Sequence, residues 1–225
     1  MTEAQASITA AGVGARAEAL RARIDAASGG RSVEVVAVTK GFGAEAVRAS
    51  VAAGLFRVGE NYAQELIAKA DELGADSAAR PEWHFLGRLQ SNKVRQLAEI
   101  VDVWQSVDRV ELVDEIAKRA PGATIFLQVN LSGEEQKGGA PLADIPSLAA
   151  RATDVGLRVT GLMGVGPAGD PELARSGFRD LVTMADRLAL PERSIGMSAD
   201  LEIAVEEGAT LVRVGHALFG DRPPR

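Results

Sequence analysis

Residues 33–74 read VEVVAVTKGFGAEAVRASVAAGLFRVGENYAQELIAKADELG. Two β-branched runs, VEVVAVTK (33–40) and LFRVGE (55–60), each lead into an Ala- and Leu-rich stretch with helical spacing, AEAVRASVAAG and NYAQELIAKADELG. A strand, a helix and then a further strand imply a parallel crossover connection. The alternation continues to the end of the chain. Further strand candidates are WHFLG (83–87), DVWQSV (102–107), TIFLQVN (124–130), LRVTGLMGV (157–165), RSIGM (193–197) and TLVRVG (210–215). Between them lie SNKVRQLAEI, ELVDEIAKRA, ADIPSLAARATDVG, ARSGFRDLVTMADRLAL and ADLEIAVEEG, all helix-like. Eight strand-like segments in about 185 residues predict an α/β fold, an eight-stranded (β/α) barrel at the compact end of its size range. An open doubly wound sheet is the competing arrangement, but no G-x-G-x-x-G follows the first strand, which weakens its dinucleotide-binding form.

Upstream, an Ala-rich stretch places Leu20 and Ile24 four residues apart on one helix face, and SGGRS marks a break after it. With no long linker, repeat or low-complexity tract, one domain is expected over 1–225. It would comprise a helix and linker at 1–30, a barrel at 33–220 and a loose RPPR-containing tail at 221–225.

Composition excludes several chemistries. The 225 residues include no cysteine, so disulfides, thiolate metal sites and cysteine nucleophiles are ruled out. Only His84 and His216 are present, so a three-histidine zinc site is impossible. The net charge of −6 comes without a basic block, which argues against a nucleic-acid surface while allowing a local phosphate pocket. No apolar run is long enough for a membrane helix, and the opening segment lacks the pattern of a secretory signal. A cytoplasmic protein without membrane or nucleic-acid partners is expected. Nothing marks a symmetric interface, so a monomer is expected.

Chemistry in such a barrel sits at the carboxyl ends of the strands. Lys40 ends the first run, and alternation puts Val36, Val38 and Lys40 on one face. An amine in apolar surroundings loses hydration, which lowers its pKa and frees it to form a Schiff base. The plainer reading is a strand-end lysine reaching solvent. Arg213 lies inside LVRVG, where a buried guanidinium needs either a structural carboxylate or a ligand. After strand seven, Ser198 is placed to cap the next helix; after strand eight, Gly215 and His216 are placed so that backbone N–H groups converge. Taken singly these are an ordinary cap and turn. Together with Lys40 and Arg213 they point to a phosphorylated carbonyl ligand. Other polar strand ends are Glu60, suited to a buried cation, Asn61, suited to donate to a ligand oxygen, and Gln128 and Asn130; Met163 ends strand six. His84, between Trp83 and Phe85, reads as a packed core histidine. Gln90 to Lys93 reads as a capping sequence, and Lys137 as a flexible loop charge.

The ordered set AVTK (37–40), GENYAQE (59–65), WHFLGRLQSNK (83–93), QVNLSGEEQKGG (128–139), GLMGVGP (161–167), GMSADLEIAVEEGATLVRVG (196–215) and LFG (218–220) resembles the YggS/PROSC family of pyridoxal 5'-phosphate (PLP) homeostasis proteins. The resemblance runs from about Val33 to Gly220 and implies an alanine-racemase-like barrel with an extra N-terminal helix. It implies that Lys40 holds PLP as a Schiff base and that Ser198, Gly215 and His216 surround the phosphate. Arg213 would approach the pyridine nitrogen and Asn61 the ring hydroxyl, with Met163 counted in the same cofactor site. His216 departs from the small or hydroxylated residue expected there, which removes a hydroxyl contact but leaves a backbone one. The implied function is PLP homeostasis by reversible capture and exchange, with PLP-dependent apo-enzymes as partners, and no catalytic residue or metal is assigned. Two alternatives remain from the residues: a barrel-type PLP racemase or decarboxylase, whose relatives carry a further β domain, and a Schiff-base phosphosugar aldolase.

Overall fold

The computed structural model of the chain describes residues 8–74, 80–131, 133 and 138–222. Eight parallel strands run in sequence order around a closed barrel: β1 (Glu34–Val38), β2 (Arg57–Glu60), β3 (Glu82–Phe85), β4 (Val103–Val107), β5 (Thr124–Val129), β6 (Arg158–Gly164), β7 (Glu192–Ser194) and β8 (Leu211–Val214). The helices between them are α2 (Ala44–Ala52), α3 (Ala63–Leu73), α4 (Ser91–Leu97), α5 (Val110–Arg119), α6 (Ile145–Asp154), α7 (Arg175–Arg187) and α8 (Leu201–Glu207). They are flanked by α1 (Ala10–Ser28) and α9 (His216–Phe219). The eight-stranded barrel expected from the alternation is therefore present, and the open sheet is not.

The N-terminal helix α1 begins where the Thr9 hydroxyl accepts the Gly12 N–H at 3.1 Å, and it ends where Gly29 turns left-handed at φ 60°. Val13, Ala17, Leu20 and Ile24 recur at helical spacing and are buried against α2, α8 and α9. Among the described residues, no helix is long and apolar enough to cross a membrane.

All eight strands were expected, but most are shorter than the apolar runs suggested. Thr39 still donates its N–H to the Gly59 carbonyl at 3.0 Å, but its own carbonyl accepts the Phe42 N–H at 3.1 Å, so the chain turns at Lys40. The seventh strand stops at Ser194, since Gly196 takes φ 92°. Ser198 does not cap α8: Asp200 turns its carboxylate back to the Met197 N–H (2.6 Å), so the helix begins only at Leu201. Gln90 likewise precedes α4 without a side-chain capping bond. Lys137 and the end of the tail, 223–225, lie outside the described residues.

Parallel register aligns residues that share a face. Val36 pairs with Arg57 and Arg213, Gly59 with His84, and His84 with Val103, so all of these face the barrel interior. Inside, Val36, Val103, Phe126, Met163 and Leu211 form an apolar cluster separate from the larger core between barrel and helices. Layers of side chains fill such an interior, so it is packed rather than a pore.

Outside the barrel wall, α3 is fastened to the ends of β1 and β2 by a buried ion pair. Glu60 is fully buried, accepts the Thr39 hydroxyl at 2.6 Å and pairs with Lys69 of α3. The Lys69 ammonium also donates to the Thr39 carbonyl at 2.7 Å, while Glu65 accepts the Gly41 N–H at 2.7 Å. Thr39 and Gly41 are thus both tied down, and Lys40 between them is carried on an anchored turn. Burial pushes the Glu60 carboxyl above its ordinary range, with Lys69 pulling the other way.

Two predictions follow from this packing. A carboxyl whose folded-state pKa is raised contributes most to stability in acid, and that contribution falls as pH rises through the folded-state pKa. Removing Lys69 raises that pKa further, so Lys69→Met should cost about 3–5 kcal/mol near neutral pH and distinctly less at about pH 5. Thermal melts at the two pH values would check this, and equal losses would contradict it. At Gly87, a Cβ would lie 1.9 Å from the Asn61 carbonyl oxygen. Gly87→Ala should therefore prise apart the loops after β2 and β3 and cost about 1–3 kcal/mol in denaturant titration, whereas an unchanged midpoint would contradict the tight approach.

Candidate functional site

At the carboxyl ends of the strands lies a cavity of about 440 Å³, within the range of small-molecule sites. Lys40, Asn61, Met163, Ser198, Arg213, Gly215 and His216 all line it, so the seven residues singled out from the sequence are brought to one place. Five connections deliver them: Lys40 from the turn after β1, Asn61 from the loop after β2, Met163 from β6, Ser198 from the turn after β7, and Arg213 with Gly215 and His216 from β8 and its exit.

The Lys40 amine is half-buried, and its pKa is lowered, first by burial and then by the nearby Arg222 guanidinium. Tyr62 and Glu60 act in the opposite direction, and Arg213 adds to the depression. The shift makes the amine easier to deprotonate than an ordinary lysine, and the uncharged amine is the form that attacks a carbonyl carbon.

Arg213 is buried, and burial pushes its pKa down to about 10. Its Nη1 donates to the Ser194 carbonyl and to Ser194 Oγ (2.8 Å), and its Nη2 donates to the Gly164 carbonyl at 2.8 Å. Its hydrogen-bond partners are thus neutral oxygens, and the carboxylate that the sequence left open, Asp200, acts only through space. A guanidinium has five N–H donors, three of which go to Ser194 and Gly164, and Arg213 also lines the cavity.

Gly215 leads into α9, where the Leu218 and Phe219 N–H groups both donate to the Gly215 carbonyl at 2.9 Å, leaving those of His216 and Ala217 at the start of the turn. The His216 imidazole is turned to solvent, with Nδ1 3.5 Å from Asp221, so the fixed donor this position offers is its backbone. Met163 is buried in the floor of the cavity.

Arg222 also lines the cavity, and the sequence reading missed it by treating the tail as loose. It lies across the turn after Lys40: a Cβ on Gly41 would meet its Cδ at 3.0 Å, and Gly41 itself takes φ 79°. The available signal was topological. Whatever follows β8 emerges at the same mouth as every other strand end. With Arg222 included, the lining carries three cationic side chains, Lys40, Arg213 and Arg222, and no carboxylate. Such a lining suits an anion that also carries an electrophilic carbon.

Other polar residues from the sequence lie elsewhere. Glu60 has its buried cation in Lys69, outside the barrel wall. His84 is a core histidine with both ring nitrogens hydrogen-bonded. Gln128 donates to the Gly138 carbonyl (2.9 Å), and Asn130 accepts from Gly133 (3.0 Å), so both brace the loop after β5. Among the described residues, no cluster of His, Asp or Glu is placed to hold a metal ion.

Comparison with known proteins agrees with this geometry. The alanine racemase N-terminal domain family matches residues 15–223. A pyridoxal phosphate homeostasis protein of Pseudomonas aeruginosa is 41% identical over 215 residues, covering 91% of this chain and 92% of the relative. A protein of the same name from Aquifex aeolicus is 39% identical over 209 residues, covering 88% and 90%. Among solved structures, PipY of Synechococcus elongatus, determined with PLP bound, superposes with a TM-score of 0.80 at 34% identity, covering 92% of this chain and all of that one. By domain match and by identity over nearly its whole length, the chain belongs to the alanine racemase N-terminal domain family and, within it, to the pyridoxal phosphate homeostasis proteins.

Proposed function

We propose that the cavity binds pyridoxal 5'-phosphate and that the chain serves PLP homeostasis, holding the cofactor on Lys40 and exchanging it. The observation that carries this reading is a lysine of depressed pKa facing two arginines in a cavity whose lining has no carboxylate. PLP, when bound, supplies an aldehyde that amines capture reversibly. The naming of the relatives and the PLP bound by PipY support the same assignment.

Each residue has a task that follows from its chemistry. Lys40 presents its amine from an anchored turn. Arg222, the Ser198 hydroxyl and the first-turn N–H groups beyond Gly215 are donors suited to a phosphate. Asn61 would offer an amide donor to a ring oxygen, and Met163 would offer apolar surface to the ring. Arg213 can only donate, so towards a pyridine nitrogen it hydrogen-bonds without supplying a proton. An unprotonated ring is a poor electron sink, which hinders carbanion chemistry and leaves Schiff-base exchange intact. A carrier is therefore the reading favoured over a racemase or decarboxylase, and a phosphosugar aldolase is disfavoured by the family. We take the chain to act as a cytoplasmic monomer that gives PLP to apo-enzymes.

Lys40→Ala should lose the visible absorption that PLP confers on the unmodified protein, while its melting temperature stays near the original. Visible absorption retained in Lys40→Ala would move the covalent site to another lysine. Arg222→Ala should weaken PLP binding at least about tenfold in equilibrium titration, since a charge-assisted hydrogen bond is worth about 1.5–3 kcal/mol; unchanged affinity would remove Arg222 from the site. Loaded protein should restore activity to a PLP-dependent apo-enzyme and leave single-enantiomer amino acids unracemised. Sustained turnover of an amino acid would overturn the carrier reading.

A further inference from the structure

A continuous row of side-chain hydrogen bonds runs inside the barrel from Arg213 to the opposite, amino-terminal end. Arg213 Nη1 donates to Ser194 Oγ (2.8 Å), and Ser194 Oγ donates to Gln105 Oε1 (2.7 Å). Gln105 Nε2 lies 2.6 Å from His84 Nδ1, and His84 Nε2 lies 2.6 Å from Glu82 Oε1. Arg213, Ser194, Gln105 and His84 are buried; Glu82, at the first position of β3, is partly exposed. Branched apolar side chains ordinarily fill such an interior, so a buried polar row needs every member satisfied.

The two ends fix the direction of the row. A guanidinium only donates and a carboxylate only accepts. With His84 neutral, the groups between them have one consistent assignment: Ser194 donates to Gln105, the Gln105 amide donates to a bare His84 Nδ1, and His84 Nε2–H donates to Glu82; a proton on both ring nitrogens would instead reverse the Gln105 amide and break the direction of the row at Ser194. The hydrogen bond from His84 holds the Glu82 carboxyl below the usual carboxylate range, and Arg57 at 3.5 Å reinforces this. The buried Asp200 carboxylate acts on Arg213 through space, but among the described residues no carboxylate bonds it directly, and the hydrogen bonds that fix the guanidinium go to neutral oxygens.

We propose that Glu82, acting through His84, Gln105 and Ser194, is a remote acceptor that orients Arg213 along the row, beside the through-space charge of Asp200, and that these four are positioning residues for Arg213 at the cavity. The proposal takes from the functional reading only what Arg213 faces; the direction of the row stands without it.

Glu82→Gln is the test, since an amide both donates and accepts and so frees one end of the row. Two signals are read by nitrogen-15 NMR in cofactor-free protein. The His84 tautomer is resolvable because the chain has only two histidines. In the unmodified protein His84 should carry its proton on Nε2. In Glu82→Gln the other tautomer should rise about tenfold, and exchange of the Arg213 side-chain N–H protons should quicken about tenfold, because charge-assisted hydrogen bonds are roughly twice as strong as neutral ones. Lys69→Met, which is destabilised but lies off the row, should alter neither signal. A proton on Nδ1 in the unmodified protein would overturn the proposal, as would an Arg213 exchange rate that does not respond to Glu82→Gln or that responds equally to Lys69→Met. If Glu82→Gln did not fold, the tautomer in the unmodified protein would decide alone. Failure to bind PLP would sink the functional reading and leave these two signals untouched.

Discussion

The pairing of β8 with β1, Val36 opposite Arg213 and Ala37 opposite Val214, closes the barrel and creates its mouth. Without that closure Lys40 and Arg213, at opposite ends of the sequence, would share no cavity. A parallel barrel also sends every strand end, and the chain after the last strand, to one side. Arg222 reaches the Lys40 turn for that reason. Three cations therefore line one cavity in a molecule whose net charge is −6, and the lining itself, which carries no carboxylate, favours an anion.

Concentrating like charge in a partly dry cavity is unfavourable, and the fold offsets it differently on the two sides of the barrel wall. Outside, Glu60 and Lys69 form a buried ion pair whose further bonds grip Thr39, while Glu65 takes the Gly41 N–H; the Lys40 backbone is held and its amine left exposed to the cavity. Inside, the Arg213 charge is spread over two carbonyls and a hydroxyl, and the hydroxyl continues into the polar row towards Glu82. Lys40 is only partly compensated: burial and the neighbouring Arg222 lower its pKa, and Tyr62 and Glu60 offset part of that.

Much of this was legible because periodicity and charge contradict each other at particular residues. A lysine closing an apolar strand and an arginine inside one stand out, and both line the cavity. Lys69 did not stand out, since a lysine on a helix with polar neighbours reads as solvated until α3 packs over Glu60. Arg222 was hidden in a proline-containing tail whose composition suggests looseness. Ser198 was misread as a cap because Asp200, two positions on, competes for the same turn with a stronger acceptor. The strand ends were overextended because a turn such as that at Lys40 continues the alternation after the ladder has stopped. The interior row was invisible because Ser194, Gln105 and His84 come from three different strands and meet only on closure.

Lys40 is the amine proposed to capture PLP, and borohydride reduction of the PLP-loaded protein followed by peptide mapping of the pyridoxyl label tests this directly. Five lysines are available in the chain, so the assignment is a real choice. The label should appear on Lys40 at a stoichiometry near one, with Lys69 protected by its buried carboxylate partner. A label on another lysine, or a protein that takes up no PLP, would contradict the central claim.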